Sequence, residues 1–590
     1  MDMRESNGVF YTPTFLVRYI VRKTVGPLLD EARSRDEAAP RVLDPACGDG
    51  AFLTEAYRFL LERNGKRSIA SPKQGRRRDR TRDVGHDIVL KRIFGVDIDG
   101  AALAMARERL LRITSDVAEN PDGSSSSPNT ARWKRVLRGQ LRQGDALLDA
   151  EDLARGPMPF EEPQRPFSWH REFGDVFRSP SNGFDAIIGN PPYVNIRRLT
   201  RSRGAAVKRY LRERYDCARG AYDLYVLFLE KAFQLLRPGG RCGMVVPNKI
   251  AAADYARACR SLLLQRASIQ EILDVSEMHA FPDAGVYPYV VIWRKQEPAP
   301  AHRVSFYRAR TPGSLSRATP TLRIRQATLC AKTGFPLEPS LDVESRVLTR
   351  PLEKTADLHS GTTGFVAQQV AQSLAEREDF GGNDCFDFIV SGNIDRYQIR
   401  RGDVRYMKRV YRRPVLAADC DLLSSNKRQL FRGPKIVVAG MTRRLEAAWD
   451  AGGLSLGVQV YAAAQPQEDP WFVLGVLNSK LISHLFRLRF PAKHLAGGYL
   501  SINKGQLAQL PMRVIDKQSA RETEYRRQIV RRVRRMVTLR SHPTDVTMSR
   551  EQSRRDREFD RIDHETDTLV YQLYALTTAE IERVETAFAA

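Results

Sequence analysis

The sequence predicts an α/β protein that begins with a mostly parallel sheet covered by helices on both faces. Two observations carry this. Apolar runs of strand length alternate with helix-like stretches from about residue 41 to residue 295. Several of these runs end in a glycine or acidic tip, as in "LDPACGDG", "GVDID" and "QGDALL", where a strand hands over to a turn. A third observation bounds the count. At 590 residues the chain is too long for one core, so two or three domains are expected.

Taken in order, "RVLDPACGDGAFLT" (41–54) reads as strand, glycine turn and helix. "IFGVDIDGAALAMARERL" (93–110) reads as strand, acidic tip and helix, and "LRQGDALL" (141–148) ends in a second acidic turn. "FDAIIGNPPY" (184–193) is the next strand, stopped by two prolines that cannot continue a central strand. "DLYVLFLEKAFQLLRPGGRCGMVVPNKI" (223–250) supplies a helix, a Pro-Gly-Gly turn and a strand, and residues 269–295 supply two more strands. A basic stretch (66–87) and a low-complexity one (118–130) lack periodicity and read as surface inserts. The linker-like "QEPAPAHR" (296–303) suggests a boundary. Residues 304–515 are mixed, with strand-like "GPKIVVAG" and helix-like "WFVLGVLNSKLISHLFRL", and 516–590 are mainly helical by pattern. The expected domains are therefore 1–298, 299–515 and 516–590.

Lysine and arginine number 95 against 70 acids, a net charge of +25, which points to a polyanionic partner, most simply nucleic acid. No apolar run is long enough to cross a bilayer and the first residues lack a signal-peptide pattern, so no membrane association is expected. Seven scattered cysteines show neither zinc spacing nor a disulfide framework, which fits a reducing, cytoplasmic setting. The nine histidines form no HExxH or His-Cys cluster, and no metal is expected.

The tips suggest a nucleotide-type ligand. Asp44 ends a strand, and Gly48 and Gly50 let the backbone approach a ligand closely. Asp97, at the next tip, suits a pair of ribose hydroxyls; its separation of 53 from Asp44 (97 − 44) exceeds the usual gap of about 20, and the basic insert accounts for much of the excess. Asp145 stands where an adenine amine could be bound. No P-loop occurs, and acidic Asp44 suits a cationic ligand without phosphate, which favours S-adenosylmethionine over NAD. The Asn190-Pro191-Pro192-Tyr193 tip fits the same chemistry. An exocyclic aromatic amine is a poor nucleophile because its lone pair is conjugated with the ring. The Asn190 side-chain oxygen and the Pro191 carbonyl can accept its hydrogens and draw the nitrogen towards sp³ geometry, with Pro191 and Pro192 fixing the carbonyl direction. Tyr193 offers a face for a base to stack on.

With these motifs in this order, the chain resembles the γ-class, TaqI-like DNA adenine-N6 methyltransferases. "GVFYTP" (8–13) looks like their motif X, "LDPACGDGAFL" like motif I, "GVDID" like motif II, "GDALL" like motif III and "NPPY" like motif IV. The resemblance implies a Rossmann-like methyltransferase domain that binds S-adenosylmethionine through Tyr11, Thr12, Pro13, Asp44, Pro45, Ala46, Cys47, Gly48, Gly50, Asp97, Ile98, Asp145, Ala146 and Asn190. Catalysis falls to Asn190, Pro191, Pro192 and Tyr193. "HAFPDAGVYPYVVI" is similar to motif VIII, which implies that Phe281 stacks on the base opposite Tyr193. Residues 300–515 look like the fused target-recognition domain, and 562–582 are similar to the helical tail of fused restriction–modification proteins. The implied substrate is adenine in double-stranded DNA, flipped out of the stack by a monomeric enzyme. Motif X begins by Gly8 and no Glu-x-Lys metal motif occurs, so cleavage is expected of a separate restriction endonuclease. "RYMKRVYRRP" (405–414), which interleaves basic and aromatic residues, and the basic helix 526–540 are candidate DNA-facing segments. The rivals are a glutamine-N5 protein methyltransferase, which shares the NPPY motif but is usually much shorter, and a non-catalytic DNA-binding protein on the same scaffold.

Overall fold

The computed structural model describes residues 12–35, 37–68, 86–116, 130–153, 165–178, 182–278, 287–309, 311–315, 319–331, 335, 341–362, 366–377, 384–490, 499–541 and 549–588. The chain divides into two compact units, 1–339 and 340–590.

The first unit is built on a nine-stranded sheet. Its strands are β1 (Val42–Asp44), β2 (Ile93–Asp97), β3 (Leu141–Gln143), β6 (Phe184–Gly189), β7 (Leu236–Pro247), β8 (Ser268–Asp274), β9 (Pro288–Arg294), β10 (Arg303–Arg308) and β11 (Leu322–Arg325). The spatial order is β11-β10-β8-β9-β7-β6-β1-β2-β3, and β4 (Asp145–Asp149) pairs separately with β5 (Pro166–Phe167). From β3 across to β7 all neighbours run parallel; β9 is antiparallel to both β7 and β8. Successive strand residues point to opposite faces. Leu43, Phe94, Ile187, Met244 and Val291 pack with helices α6 (Tyr225–Leu235) and α7 (Arg257–Arg266) on one face. Val42, Ile93, Ala186, Val245 and Val290 pack on the other with α1 (Thr14–Ser34), α2 (Ala51–Ser68), α3 (Gly100–Asp116) and α4 (Thr130–Gln140). Near-continuous apolar strands are what a sheet covered on both faces requires.

Chain order reverses at β1. The strands β2 and β3 extend to one side, β6 and β7 to the other, which leaves a crevice beyond the carboxyl ends of β1 and β6. The expected boundary at 298/299 lies inside this unit. "QEPAPAHR" is the turn between β9 and β10, and β10 pairs parallel with β8 and antiparallel with β11, extending the sheet. Its prolines mark a connection past the end of β8, which lies between β9 and β10, rather than a break between cores.

The second unit holds two four-stranded sheets and a set of helices. One sheet is antiparallel throughout, built from Asp357–Ser360, Val460–Ala464, Lys435–Ala439 and Ala447–Asp450. "WFVLGVLNSKLISHLFRL" folds as two helices, α8 (Pro470–Asn478) and α9 (Lys480–Arg489), because Ser479 caps the second by accepting the Ile482 amide at 3.2 Å. The tail is helical, with α10 (Ala520–Arg540), α11 (Ser549–Leu573) and α12 (Thr578–Thr586), but it is not a separate body. Ile529, Val533, Met536, Phe559, Ile562, Val570 and Tyr574 share one core with Phe472, Leu474 and Leu477. A buried bidentate pair, Arg396 on Asp563, ties the tail to the sheet side, with one arm at 2.7 Å. In Ala520–Arg540, Arg526, Arg532 and Arg535 pair with Glu468, Glu565 and Glu558, while Arg527, Arg531 and Arg534 are exposed. Among the described residues no helix is long and apolar enough to cross a membrane.

Candidate active site

The crevice is shaped first by glycine. After Asp44 the chain turns through Pro45 to Gly50, with Gly48 at φ +52° and Gly50 at φ +79°, both in the left-handed region. A Cβ on Gly50 would stand 2.9 Å from the Ala106 Cβ, so this residue also lets α2 lie close against α3. A Cβ on Gly48 would meet nothing within 4 Å; its side faces open space, as a cradle for a ligand requires. Pro45 and Cys47 are buried beneath the turn, while Ala46 and Gly48 are half-buried.

Asp44 is 1% exposed. Its Oδ1 accepts the Ala46 amide at 3.1 Å, and burial pushes its carboxyl up to about 8, with the neighbouring charges of Asp97 and Asp49 adding to the rise. A buried carboxyl of this kind is poised to ionise when a cation arrives. Asp97 ties the two tips together: its Oδ2 accepts the Gly48 amide at 2.7 Å and its Oδ1 accepts the Asp99 amide at 2.9 Å. Each carboxylate oxygen has a second lone pair with which to accept a hydroxyl. Burial raises its pKa as well. Ile98 follows, exposed.

Asp145 opens β4. Its Oδ1 accepts the Leu147 amide at 2.9 Å, and its Oδ2 accepts Arg203 Nη1 at 2.5 Å. Arg203 closes the first part of α5 (Ile196–Arg214), immediately before Gly204, whose φ of 85° and ψ of 166° break the helix. The Ala146 side chain lies in the core below, and its carbonyl accepts the Trp169 indole at 3.3 Å.

The Asn190–Tyr193 loop leaves β6 at Gly189 (φ +156°), where a Cβ would stand 2.6 Å from Asp44 Oδ1. The start of the loop is therefore directly against the acid of the glycine turn. Asn190 Nδ2 donates to Thr12 Oγ1 at 3.1 Å, so the residues just ahead of α1 reach the loop. Pro13 sits at the amino end of α1. The Tyr193 ring is half-buried and meets Tyr225 edge-on, at 6.4 Å between centroids and 83° between planes. Tyr11 and Phe281 lie outside the described residues.

A support network stands behind this loop, and none of its members was singled out from sequence. Asp223 is buried; its Oδ1 accepts Asn195 Nδ2 at 2.8 Å and its Oδ2 accepts the Tyr255 hydroxyl at 2.8 Å. Tyr255 and Tyr225 share a hydroxyl–hydroxyl bond at 3.2 Å, and the backbones of Asn195 and Asp223 bridge. The chain runs from Asn195 through Asp223 and Tyr255 to the ring that meets Tyr193. The only sequence signal was an acid, "AYDLY", before an otherwise apolar helix.

The donor set suits S-adenosylmethionine: an open glycine cradle, a buried acid for a cationic group, a second for hydroxyls and a third for an amine. Comparison with known proteins points the same way. Residues 2–120 match the family described as N-6 DNA Methylase, and residues 91–281 match the Eco57I restriction-modification methylase family. The first unit belongs to the adenine-N6 DNA methylases of the restriction–modification type. Among curated relatives of this methylase unit is the type II restriction enzyme and methyltransferase RM.Eco57I of Escherichia coli, 23% identical over 49% of this chain and 28% of that protein. The type II methyltransferase M.BanIII of Aneurinibacillus aneurinilyticus is 26% identical over 48% of this chain and 37% of that protein. The match thus spans about a third or less of these relatives' length. Among solved structures, the Type IIL restriction-modification enzyme MmeI in complex with DNA aligns at a TM-score of 0.52, with 13% identity over 98% of this chain and 75% of that one. A nuclease-deletion mutant of the Type ISP enzyme LlaGI aligns at 0.51, with 13% identity over 90% of this chain and 47% of that one. At these identities the structural likeness speaks for the fold.

Proposed function

We propose that this chain is a site-specific DNA-methyltransferase (adenine-specific), EC 2.1.1.72, that methylates N6 of a flipped adenine in duplex DNA. It serves as the modification component of a restriction–modification or other phage-defence system. The observation that carries the reading is the approach of the catalytic loop to the glycine turn, with Gly189 packed on Asp44 and Asn190 bonded to Thr12. S-adenosylmethionine, when bound, would supply an electrophilic methyl group on a cationic sulfur. Asp44, Asp97 and the Pro45–Gly50 turn hold the cofactor, with Thr12, Pro13, Ile98 and Asp145 around it. Asn190 Oδ1 and the Pro191 carbonyl accept the two hydrogens of the adenine amine, which localises its lone pair for attack. Asn190 Oδ1 and the Pro191 carbonyl would hold the N6 proton that the amine must give up, from where it would pass to water. Tyr193 stacks on the base, with Phe281 as its counterpart.

The second unit is the target-recognition part, and the net charge of +25 favours a polyanionic substrate. The enzyme acts as a cytoplasmic monomer, and cleavage is left to a separate endonuclease. The test is transfer of labelled methyl from S-adenosylmethionine by the purified chain to duplex DNA, followed by nucleoside analysis. Label in N6-methyl-2′-deoxyadenosine, absent with a folded Asn190→Ala variant, is expected. Label in N4-methylcytosine, or in a glutamine of a release factor instead of DNA, would refute the reading.

A further inference from the structure

The second unit carries a small device that its cores do not explain. Val404–Tyr406 and Arg409–Tyr411 form an antiparallel hairpin whose register pairs Val404 with Tyr411, Arg405 with Val410 and Tyr406 with Arg409. Directly opposite residues share a face. The inner face is anchored. Val404, Tyr406 and Tyr411 pack with Ala367, Val370 and Phe388 in a core of their own; the Tyr406 ring meets Phe388 edge-on at 4.9 Å, and the Tyr411 hydroxyl donates to the Ala371 carbonyl at 3.2 Å. The aromatics of "RYMKRVYRRP" are thus turned inward, while the Arg405–Val410 pair lies on the opposite, outer face.

The outer face presents what a stable hairpin would not choose. Val410 is 75% exposed beside exposed Arg405; at the tip Met407 is 49% exposed, with Lys408 and, across from Tyr406, Arg409 exposed as well. Residues 403–413 contain five basic residues and one acid, Asp403 at the hairpin base. The turn itself is strained. Met407 (φ 46°) and Lys408 (φ 68°) both sit in the left-handed region, at the two positions of a two-residue loop where Asn-Gly is favoured. Strain of this sort, held in place by a rigid base, collects where side chains must be aimed at a ligand.

We propose that the Val404–Tyr411 hairpin is a base-reading element that enters the major groove of duplex DNA. A two-stranded ribbon fits that groove. Arg405 and Val410 lie side by side on its outer face: a guanidinium fork suited to the acceptors of guanine, next to an apolar group suited to a thymine methyl. Lys408, at the tip, is a phosphate contact. This rests on the reading of the chain as a DNA methyltransferase and assigns part of its specificity to named residues.

The experiment compares wild type with Arg405→Ala, Val410→Ala and Lys408→Ala in the full-length chain. Three quantities are read: the methylated motif by sequencing, duplex binding by anisotropy across salt, and cofactor affinity. Arg405→Ala and Val410→Ala are expected to relax one position of the motif or to lower methylation there by about tenfold to a hundredfold, with cofactor affinity unchanged. Lys408→Ala should keep the motif and reduce the slope of log K against log salt by about one. A Met407→Asn/Lys408→Gly variant, better suited to the turn, should fold at least as well as wild type and still bind DNA more weakly. Wild-type motif, rate and salt slope in all variants would overturn the proposal. If the wild type methylates no DNA, the functional reading fails, and the anisotropy arm alone decides whether the hairpin binds duplex.

Discussion

Replacing Asp44 by Asn tests whether this buried acid receives a cationic part of the cofactor. Asp44 sits at the crevice with its carboxyl pushed up to about 8 by burial. In the free protein it therefore holds a proton at neutral pH: the ratio of protonated to ionised form is about 100 at pH 6, about 10 at pH 7 and about 1 at pH 8. A cation binds the ionised form, so affinity follows the ionised fraction and should rise about fiftyfold from pH 6 to pH 8. Binding at pH 7 should release close to one proton, measurable by calorimetry in buffers of different ionisation enthalpy. Asn at this position is neutral throughout, so its affinity should be flat with pH. At pH 8 it should bind more weakly than wild type by about 1.5–3 kcal/mol, the worth of a hydrogen bond to a charged group, and the two curves should approach each other near pH 6. Stability has the opposite dependence. Because the folded pKa lies above the ordinary 3.8, the stabilising contribution is complete below pH 3.8 and is lost as pH rises towards 8. Between pH 4 and pH 7 that is about 4 kcal/mol in the free protein, absent in Asp44→Asn. A wild-type affinity that does not change between pH 6 and pH 8, or an Asn variant with the same slope, would refute the reasoning.

Two further perturbations follow from the hydrogen-bond networks. Asp223→Asn and Tyr255→Phe disturb the support behind the Asn190–Tyr193 loop without touching the glycine turn; on the proposed function kcat should fall about tenfold while cofactor affinity holds, and 2-aminopurine at the target position should report altered stacking of the flipped base. Unchanged kcat and fluorescence would make the network a folding element only. Arg396→Ala leaves Asp563 buried without its bidentate partner and should destabilise the second unit by about 3 kcal/mol in chemical denaturation, whereas a loss below about 1 kcal/mol would mean that Arg444 and Lys480 already compensate it.

What could be read from sequence was local geometry. Asp44, Gly48, Gly50 and Asp97 belong to strand–turn–helix units in which spacing alone sets the placement, and the same holds for the prolines that end β6. What could not be read was tertiary. Asp223 and Tyr255 become partners only because α6 and the short turn before α7 pack beside the loop, and Arg203 reaches Asp145 across 58 residues of chain. The Pro- and Ala-rich "QEPAPAHR" resembled a linker because turn chemistry is the same between strands of one sheet and between domains; strand pairing decides which it is. The helical pattern of 516–590 was visible, but not that its apolar face completes the core of the preceding sheets. In the 404–411 hairpin, alternation was legible, yet only the register tells which face is anchored.

The proposed function is methylation of adenine in DNA, at a defined sequence, through Asn190. The most direct test is single-molecule sequencing of DNA from a methylation-free bacterial host expressing the full chain, beside the Asn190→Ala variant. N6-methyladenine is expected at one short motif with the wild type and nowhere with the variant. Unmodified DNA from both, with each protein folded and able to bind S-adenosylmethionine, would contradict it.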